Sequence, residues 1–177
     1  MRDKSKTSPT DPDAALVSSL RVWHCNYGSL TPVAQQYRNL ETLIVASYPN
    51  LDLEPVGSLF SLTYLSILHM PAVTDLEPLG QLTNLRTLRL STLPSWDSSG
   101  KVTEVVSLRP LALLPNLRHL ELFGVRPASK SLRELEEAPG LVSVRVSKYP
   151  KAEVTRYYEN AVVSDDFAPS PGIADWS

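Results

Sequence analysis

The spacing of leucine residues is the feature that most restricts the fold of this 177-residue chain. In the segment TDLEPLGQLTNLRTLRLS, from Thr74 to Ser91, leucine recurs at steps of three, three, three, three and two residues. A helix would keep steps of three and four, and a strand would keep steps of two. The segment therefore predicts a unit in which a short helical turn passes into a short strand.

The same pattern returns along most of the chain. Aligning NLRTLRL with its near-copies places the first apolar residue of each copy at Val17, Leu40, Leu62, Leu85, Leu117 and Leu141, with spacings of 23, 22, 23, 32 and 24 residues. Another leucine column, at Leu30, Leu53, Leu76, Leu108 and Leu132, precedes each following copy by nine or ten residues. The 32-residue unit is thus an ordinary unit with about nine extra residues between Pro94 and Ser107.

This recurrence is the pattern of a leucine-rich repeat. It predicts an α/β repeat fold, a right-handed solenoid with about six short parallel strands on a concave face and short helical or 3₁₀ crossovers. A proline two residues after the second-column leucine, as in LEPL, suits the first turn of such a crossover, where its missing N–H is not needed. A single unit cannot bury its leucines, so stacked neighbours must share one core.

The segment VTDLEPLGQLTNLRTLRL resembles the short leucine-rich repeats of bacterial internalin-like proteins. The resemblance implies a right-handed solenoid that uses its concave face to bind other proteins. That family usually carries asparagine three residues after the last strand leucine, where the side chain forms a ladder between repeats. Here the column reads Cys25, Tyr48, Met70, Leu93, Val125 and Tyr149, so the ladder is expected to be absent. Prolines that follow in four units are expected to stop the strands instead.

The repeats divide the chain into three parts. Residues 1–15 are predicted to form a flexible or capping N-terminal segment, and residues 16–150 the repeat domain with its insertion at about 94–107. Residues 151–177 are predicted to be a C-terminal cap or tail, either flexible or laid over the open end of the last repeat.

Composition and motifs favour no catalytic chemistry. The formal net charge is −2, which gives no reason to expect nucleic acid or an anionic membrane as a partner. Cys25 is the single cysteine, and no familiar nucleotide-binding or catalytic motif occurs. The histidines His24, His69 and His119 are expected on the strand face without metal-ligand spacing. We therefore predict no enzyme activity, no metal and no cofactor.

Side chains between the inward leucines are predicted to line the concave face. The candidates for partner binding are the large or charged residues at these positions and in the insertion: Arg21, Trp23, Tyr64, Leu68, Arg86, Arg89, Trp96, His119, Glu121, Phe123 and Arg145. Tryptophan, tyrosine and arginine dominate the energetics of many interfaces. For Trp96 two placements stay open: an exposed anchor, or a side chain folded back onto the solenoid.

These features lead to a functional hypothesis. The chain is expected to be a cytoplasmic, monomeric protein-binding module of the inhibitor or immunity type, which captures and blocks a toxin or enzyme. The alternative is an adaptor, or a virulence effector that is secreted without a cleavable signal and binds host proteins. Neither hypothesis names the partner.

Overall fold

The fold is a stack of six strands joined by short helical crossovers. The computed structural model describes residues 4–23 and 25–169, so the predicted position of His24 lies outside the described residues. The repeat strands are β1 (Ser19–Val22), β2 (Thr42–Ala46), β3 (Tyr64–Leu68), β4 (Thr87–Ser91), β6 (His119–Phe123) and β8 (Ser143–Val146). They form one parallel sheet in the order β1-β2-β3-β4-β6-β8. The predicted repeat fold is confirmed.

Strand pairing follows the leucine register found in the sequence. Leu20, Leu43, Leu65, Leu88 and Leu120 pair in series across the sheet, and Val144 ends the row. All six leucines of the Thr74–Ser91 segment are at most 1% exposed. Full burial of one such side chain contributes roughly 1.5–3 kcal/mol, so this shared core is the main source of stability.

Each of the first five repeat strands is followed by a crossover that begins after a leucine of the second column. The crossovers are α1 (Thr31–Gln36), α2 (Glu54–Gly57), a 3₁₀ helix (Glu77–Gln81), α4 (Arg109–Ala112) and a 3₁₀ helix (Arg133–Glu137). Proline stands in the first turn of the first four. A Ser or Asp just before each leucine accepts the N–H of the first helical residue, at Ser29, Asp52, Asp75, Ser107 and Ser131. This column satisfies helix-end donors that would otherwise lack a partner.

Asparagine side chains link neighbouring repeats at the start of the strands, whereas the internalin-like pattern carries them after the strands. Asn39, Asn84 and Asn116 stand directly before the first template leucine, and each side-chain amide donates to a backbone carbonyl of the preceding unit. The three bonds, to the carbonyls of Ala15, Phe60 and Thr83, are 2.8–3.0 Å long. Hydrogen bonding between repeats therefore occurs at the entry to the strands.

The exit from the strands is set by backbone conformation. Ser47, His69, Gly124 and Lys148 occupy one column just past the strands, and all have φ between 62° and 68°. The expectation that proline stops the strands is wrong for β2, β3 and β8, where this left-handed residue ends the strand two positions before the proline. His69 accordingly lies in this turn. The sequence-based expectation that it lies on the strand face is wrong.

The insertion forms structure of its own. Helix α3 (Pro94–Ser98) and strand β5 (Thr103–Val105) lie between β4 and α4. Strand β5 pairs in parallel with β7 (Val125–Pro127), which directly follows β6, in a separate two-stranded sheet. The extra residues therefore extend the turn side of the solenoid while the strand and crossover register continues unchanged.

Both ends of the described chain pack on the terminal units. Near the N-terminus, Asp11 bonds to Gln36 and to the Tyr37 hydroxyl, and Ala14 is buried. After β8, helix α5 (Lys151–Asn160) places Tyr157 in the core with no exposed surface. Both ends of the described chain thus contact the terminal units, and the division of the chain into the three predicted parts stays a prediction.

Gly124→Ala tests the turn column. A Cβ at Gly124 would lie 2.3 Å from Thr92 Oγ1, and its φ is +68°. We expect a loss of at least about 2 kcal/mol in the free energy of unfolding, measured with urea, because strain and a clash add. Gly100→Ala is the matched control: φ is +78° but nothing lies within 4 Å, so about 1 kcal/mol is expected. Adding Thr92→Ala should restore part of the loss at Gly124 only, and equal losses in the two single variants would contradict this account.

Glu153→Gln tests the attachment of α5. The Glu153 carboxylate accepts hydrogen bonds from Arg156, the Leu132 N–H and Ser131. The Arg156 bonds, helped by the Leu132 N–H and Ser131, outweigh partial burial and lower the pKa of Glu153 from 4.5 to about 2. Its contribution is therefore complete above pH 4.5 and is lost as the pH falls towards 2.

For Glu153→Gln we expect a loss of roughly 1–3 kcal/mol at pH 7 in urea unfolding, shrinking below pH 4.5. Glu136→Gln is the control, because Glu136 shares only the exposed ion pair with Arg156 and should cost less than about 1 kcal/mol. A Glu153 effect that does not vary with pH would refute the role of the charge.

Candidate protein-binding face

The side of the six-stranded sheet opposite the leucine core, here called the strand face, carries the candidate residues. Strand pairing aligns its central column as Arg21, Ile44, Ser66, Arg89, Glu121 and Arg145. This is the column that the sequence predicted. It brings three arginines and one glutamate onto a face whose neighbouring columns carry Trp23, Leu68 and Phe123, all half-buried.

A charged cluster lies at the centre of the strand face. Glu121 Oε1 accepts from Arg89 Nε at 3.0 Å and from its Nη2 at 2.9 Å. Glu121 Oε2 lies 3.8 Å from Arg145 Nη1. The Glu121 side chain is 3% exposed, whereas those of Arg89 and Arg145 are 38% and 41% exposed. The buried carboxylate therefore anchors Arg89 and lies near Arg145, and both guanidinium groups remain partly accessible.

The environment of Arg89 keeps its charge in place. Burial by itself lowers the pKa of Arg89, but hydrogen bonding to Tyr64 and Glu121 outweighs it, so the pKa is raised. Arginine offers five donors in a planar fork, so further donors remain for an outside acceptor.

Each arginine of the central column also contacts an aromatic ring. The Arg21 guanidinium carbon lies 4.6 Å from the Trp23 ring centre, and that of Arg145 lies 5.1 Å from Phe123. Arg89 lies 5.5 Å from the ring of Phe167. Such cation–π contacts fix arginine geometry before any partner arrives, which lowers the entropy cost of binding.

Two candidates are less accessible than predicted. Tyr64 is 5% exposed and Glu121 is 2% exposed, so the expectation that both are displayed is wrong. Thr42, Thr87 and Ser143, which share a column with Tyr64, are buried as well. Arg89 interacts with both Tyr64 and Glu121, so these side chains lie beneath it and would act on a partner only through it.

Arg86 and Leu68 border the strand face. Arg86 directly precedes β4, is exposed, and lines a shallow depression with Glu41, Thr63 and Asn116 at the entry to the strands. Leu68 ends β3 and is half-buried. The structure thus keeps both within the predicted surface, Arg86 at its rim and Leu68 near the turns.

Trp96 folds back onto the turn side of the solenoid, which decides between the two placements that the sequence left open. Its ring lies 4.7 Å from that of His69 in an edge-on arrangement, and Lys101 Nζ lies 5.6 Å from its centre. Lys148 donates to the Asp97 carbonyl and pairs with its carboxylate. The insertion is therefore fixed beside the strand exits, with Trp96 half-buried.

Sequence reasoning missed Phe167. Its ring lies 6.1 Å from that of His119 at an interplanar angle of 89°, in addition to its contact with Arg89. His119 Nδ1 is held 2.7 Å from Ser143 Oγ, and burial, with the charge of Arg118, lowers its pKa below the usual 6.5. A lone phenylalanine in SDDFAPS carries no repeat register, so only the two adjacent aspartates, opposite in charge to the strand face, could have suggested this placement.

Other parts of the described chain show fewer features of a binding site. A groove of about 730 Å³ lies on the crossover side between α1 and α2, next to Arg38, Glu54 and Phe60. Within residues 4–23 and 25–169, no group of three His, Cys, Asp or Glu side chains could hold a metal ion. None of the helices in that part of the chain is long and apolar enough to cross a membrane.

Double-mutant cycles test the geometry of the charged cluster. With Glu121→Gln, Arg89→Met and Arg145→Met, we expect a coupling of about 1–3 kcal/mol in urea unfolding for Arg89–Glu121, whose contacts are short. For Arg145–Glu121, at 3.8 Å, the coupling should stay below about 1 kcal/mol. The Arg145 cycle serves as the matched control for the Arg89 cycle. The reverse order of the two couplings would contradict the arrangement.

Comparison with known proteins adds a family context. No protein-family model and no curated protein matches the chain. Among solved structures, internalin C2 from Listeria monocytogenes aligns with 76% of this chain at 26% identity and a TM-score of 0.54. Internalin F from the same organism aligns with 72% of it at 21% identity and a TM-score of 0.45.

The chain covers 54% of internalin C2 and 35% of internalin F, so it spans only part of the length of each. The alignment with internalin C2 extends over most of the repeat register described above. Together with the six-stranded parallel sheet and its short crossovers, it supports an internalin-like leucine-rich repeat fold for this chain.

Proposed function

We propose that this protein is a non-catalytic binding module that captures a single protein partner on its strand face, aided by the insertion. The observation that carries the proposal is the row of three arginines held against aromatic rings, of which Arg89 is also anchored by buried Glu121. Partly exposed arginines and aromatics of fixed geometry are the side chains that dominate protein interfaces. The fold shared with internalin C2 supports a protein partner as well.

The surroundings of the contact between Ser143 and His119 argue against hydrolysis. Ser143 lies 2.7 Å from His119 but is only 2% exposed, so a substrate would not reach its hydroxyl. The His119 ring faces the edge of Phe167 and its neighbour Arg118 is a cation, whereas a catalytic histidine is oriented by an acceptor. The contact is therefore assigned a structural role.

Within this class we propose an inhibitor of the immunity type, acting in the cytoplasm on a toxin or enzyme. Blocking an active site requires only a complementary surface, and a rigid sheet face with preset arginines provides one. The sequence has one cysteine, Cys25, and therefore no internal disulfide, which suits a reducing compartment. An adaptor or secreted effector that binds host proteins is the second candidate, favoured by the likeness to internalin C2.

We also propose that the protein is a monomer when no partner is present. The outer edge of β8 pairs with no other repeat strand, and such an edge is a place where a second copy could add. Ser164 occupies it: the Val144 N–H donates to the Ser164 carbonyl, and the Ser164 N–H donates to the Val142 carbonyl. Light scattering that gives a mass near 19.6 kDa would agree with a monomer, and one near twice that value would contradict it.

Variants of the strand face test the proposal. Arg89→Glu and Phe123→Ala should each weaken the complex by about 1 kcal/mol or more, measured by calorimetry against the partner captured from the native lysate. Matched controls on the crossover side are Arg109→Glu and Phe60→Ala, since Arg109 and Phe60 are exposed there. These should bind as the unaltered protein does.

Two results would contradict the proposal. If both strand-face variants bind unchanged while a control loses affinity, the crossover side carries the binding. If the partner's activity continues in the saturated complex, the protein is not an inhibitor, and the adaptor or effector hypothesis takes its place.

A further inference from the structure

We infer that the strand face recognises an aromatic side chain carried on an acidic extended segment, and that residues 164–167 of this chain occupy that site until a partner displaces them. The inference rests on the proposed function, because it places the recognition site on the same strand face. It adds the chemistry of the partner segment and an internal competitor.

The C-terminal residues reach the strand face by adding to the sheet. After α5 the chain turns back, and Ser164 forms a parallel bridge beside Ser143 on the edge strand β8. Its two backbone hydrogen bonds, to the N–H of Val144 and the carbonyl of Val142, are both 2.9 Å long. The following residues then extend across the strands, because Phe167 meets His119 on β6 and Arg89 on β4. One short segment thus spans three neighbouring strands.

The seat of Phe167 has the features of a recognition site for an aromatic ring. The positive Arg89 guanidinium lies over the ring face, and the His119 ring meets it edge-on. Both side chains that contact the ring are fixed by hydrogen bonds of their own, Arg89 to Glu121 and His119 to Ser143. A site whose walls keep their positions without the ring can accept another ring of the same kind.

Charge on the two sides is complementary. The strand face carries Arg21, Arg89 and Arg145, while Glu121, its acidic member, is buried and already paired with Arg89. The segment that lies on it carries Asp165 and Asp166 directly before Phe167, and both are exposed. A partner segment with one or two carboxylates next to a phenylalanine or tyrosine would fit the same surface.

The internal segment is held weakly enough to be displaced. It is attached by a single-residue bridge with two hydrogen bonds and by one half-buried ring, Phe167, which contacts His119 and Arg89. By contrast, α5 is fixed by fully buried Tyr157 and by the charged bonds of Glu153. A tethered segment competes through its high local concentration, so removing its one anchoring ring should open the site without disturbing the cap.

The test uses the full chain and a fluorescein-labelled peptide, VSDDFAP, which copies residues 163–169. Fluorescence anisotropy should show that Phe167→Ala protein binds this peptide about tenfold more tightly than the unaltered protein, because its own ring no longer competes. The peptide VSDDAAP should bind about tenfold more weakly to the same variant. Arg89→Met added to Phe167→Ala should also reduce binding of VSDDFAP.

The outcomes separate clearly. Equal binding of VSDDFAP by the two proteins, equal binding of the two peptides, or no binding by the Phe167→Ala variant at millimolar peptide would each overturn the inference. A rise in the pKa of His119 towards 6.5 in Phe167→Ala, followed by NMR, would support coverage of His119 by Phe167. The matched control is His69, whose pKa is lowered by burial at a site next to Trp96, and it should not change.

Failure here is distinguishable from failure of the proposed function. If the captured partner loses affinity for Arg89→Glu and Phe123→Ala but binds Phe167→Ala and unaltered protein equally, the strand face is the interface and the displacement is refuted. If instead VSDDFAP behaves as expected while the partner ignores the strand-face variants, the aromatic site stands and the proposed function fails.

Discussion

The sharing of leucine burial between neighbouring units is the interaction on which the rest of the structure depends. A strand of four or five residues with one crossover turn has too little surface of its own to enclose its apolar side chains. Leu88 is buried only because Leu65 and Leu120 lie on either side of it in register. Every unit must therefore keep the same register, and an insertion is tolerated only where it leaves that register unchanged.

Backbone hydrogen bonding imposes the next condition. The apolar core offers no partners to the backbone N–H and C=O groups at the two ends of each unit, so these groups need partners elsewhere. The chain meets it with two side-chain columns: asparagines at the strand entries, and serines or aspartates before the crossovers. At the strand exits, where the internalin pattern expects asparagine, a left-handed residue turns the chain and apolar side chains such as Met70 fill the space. The asparagine hydrogen bonds between repeats thus lie at the strand entries, and buried apolar side chains occupy the column where internalin-like repeats carry asparagine.

The strand face was only partly predictable from the sequence. Alternation fixes which side chains of β4 leave the core, so Arg89 and its column followed directly from the leucine register. Exposure did not follow, because it depends on neighbours one strand away: Arg89 covers Tyr64 and Glu121. The placements of Trp96 and Phe167 depend on segments outside the repeat, whose paths are set by contacts with His69 and with the edge of β8. Periodicity carries no information about such contacts.

Glu121 connects stability with recognition. A buried carboxylate costs free energy, and its bonds to Arg89 repay that cost only in part. An apolar residue at this position would suit the sheet but would remove the two short contacts that hold the Arg89 guanidinium. With the carboxylate in place, the guanidinium groups are positioned before anything binds, and the Phe167 ring has a defined cationic wall to meet. Within the proposed function, Glu121 therefore acts as a positioning group, because it orders Arg89 before binding and so lowers the entropy cost of forming a complex.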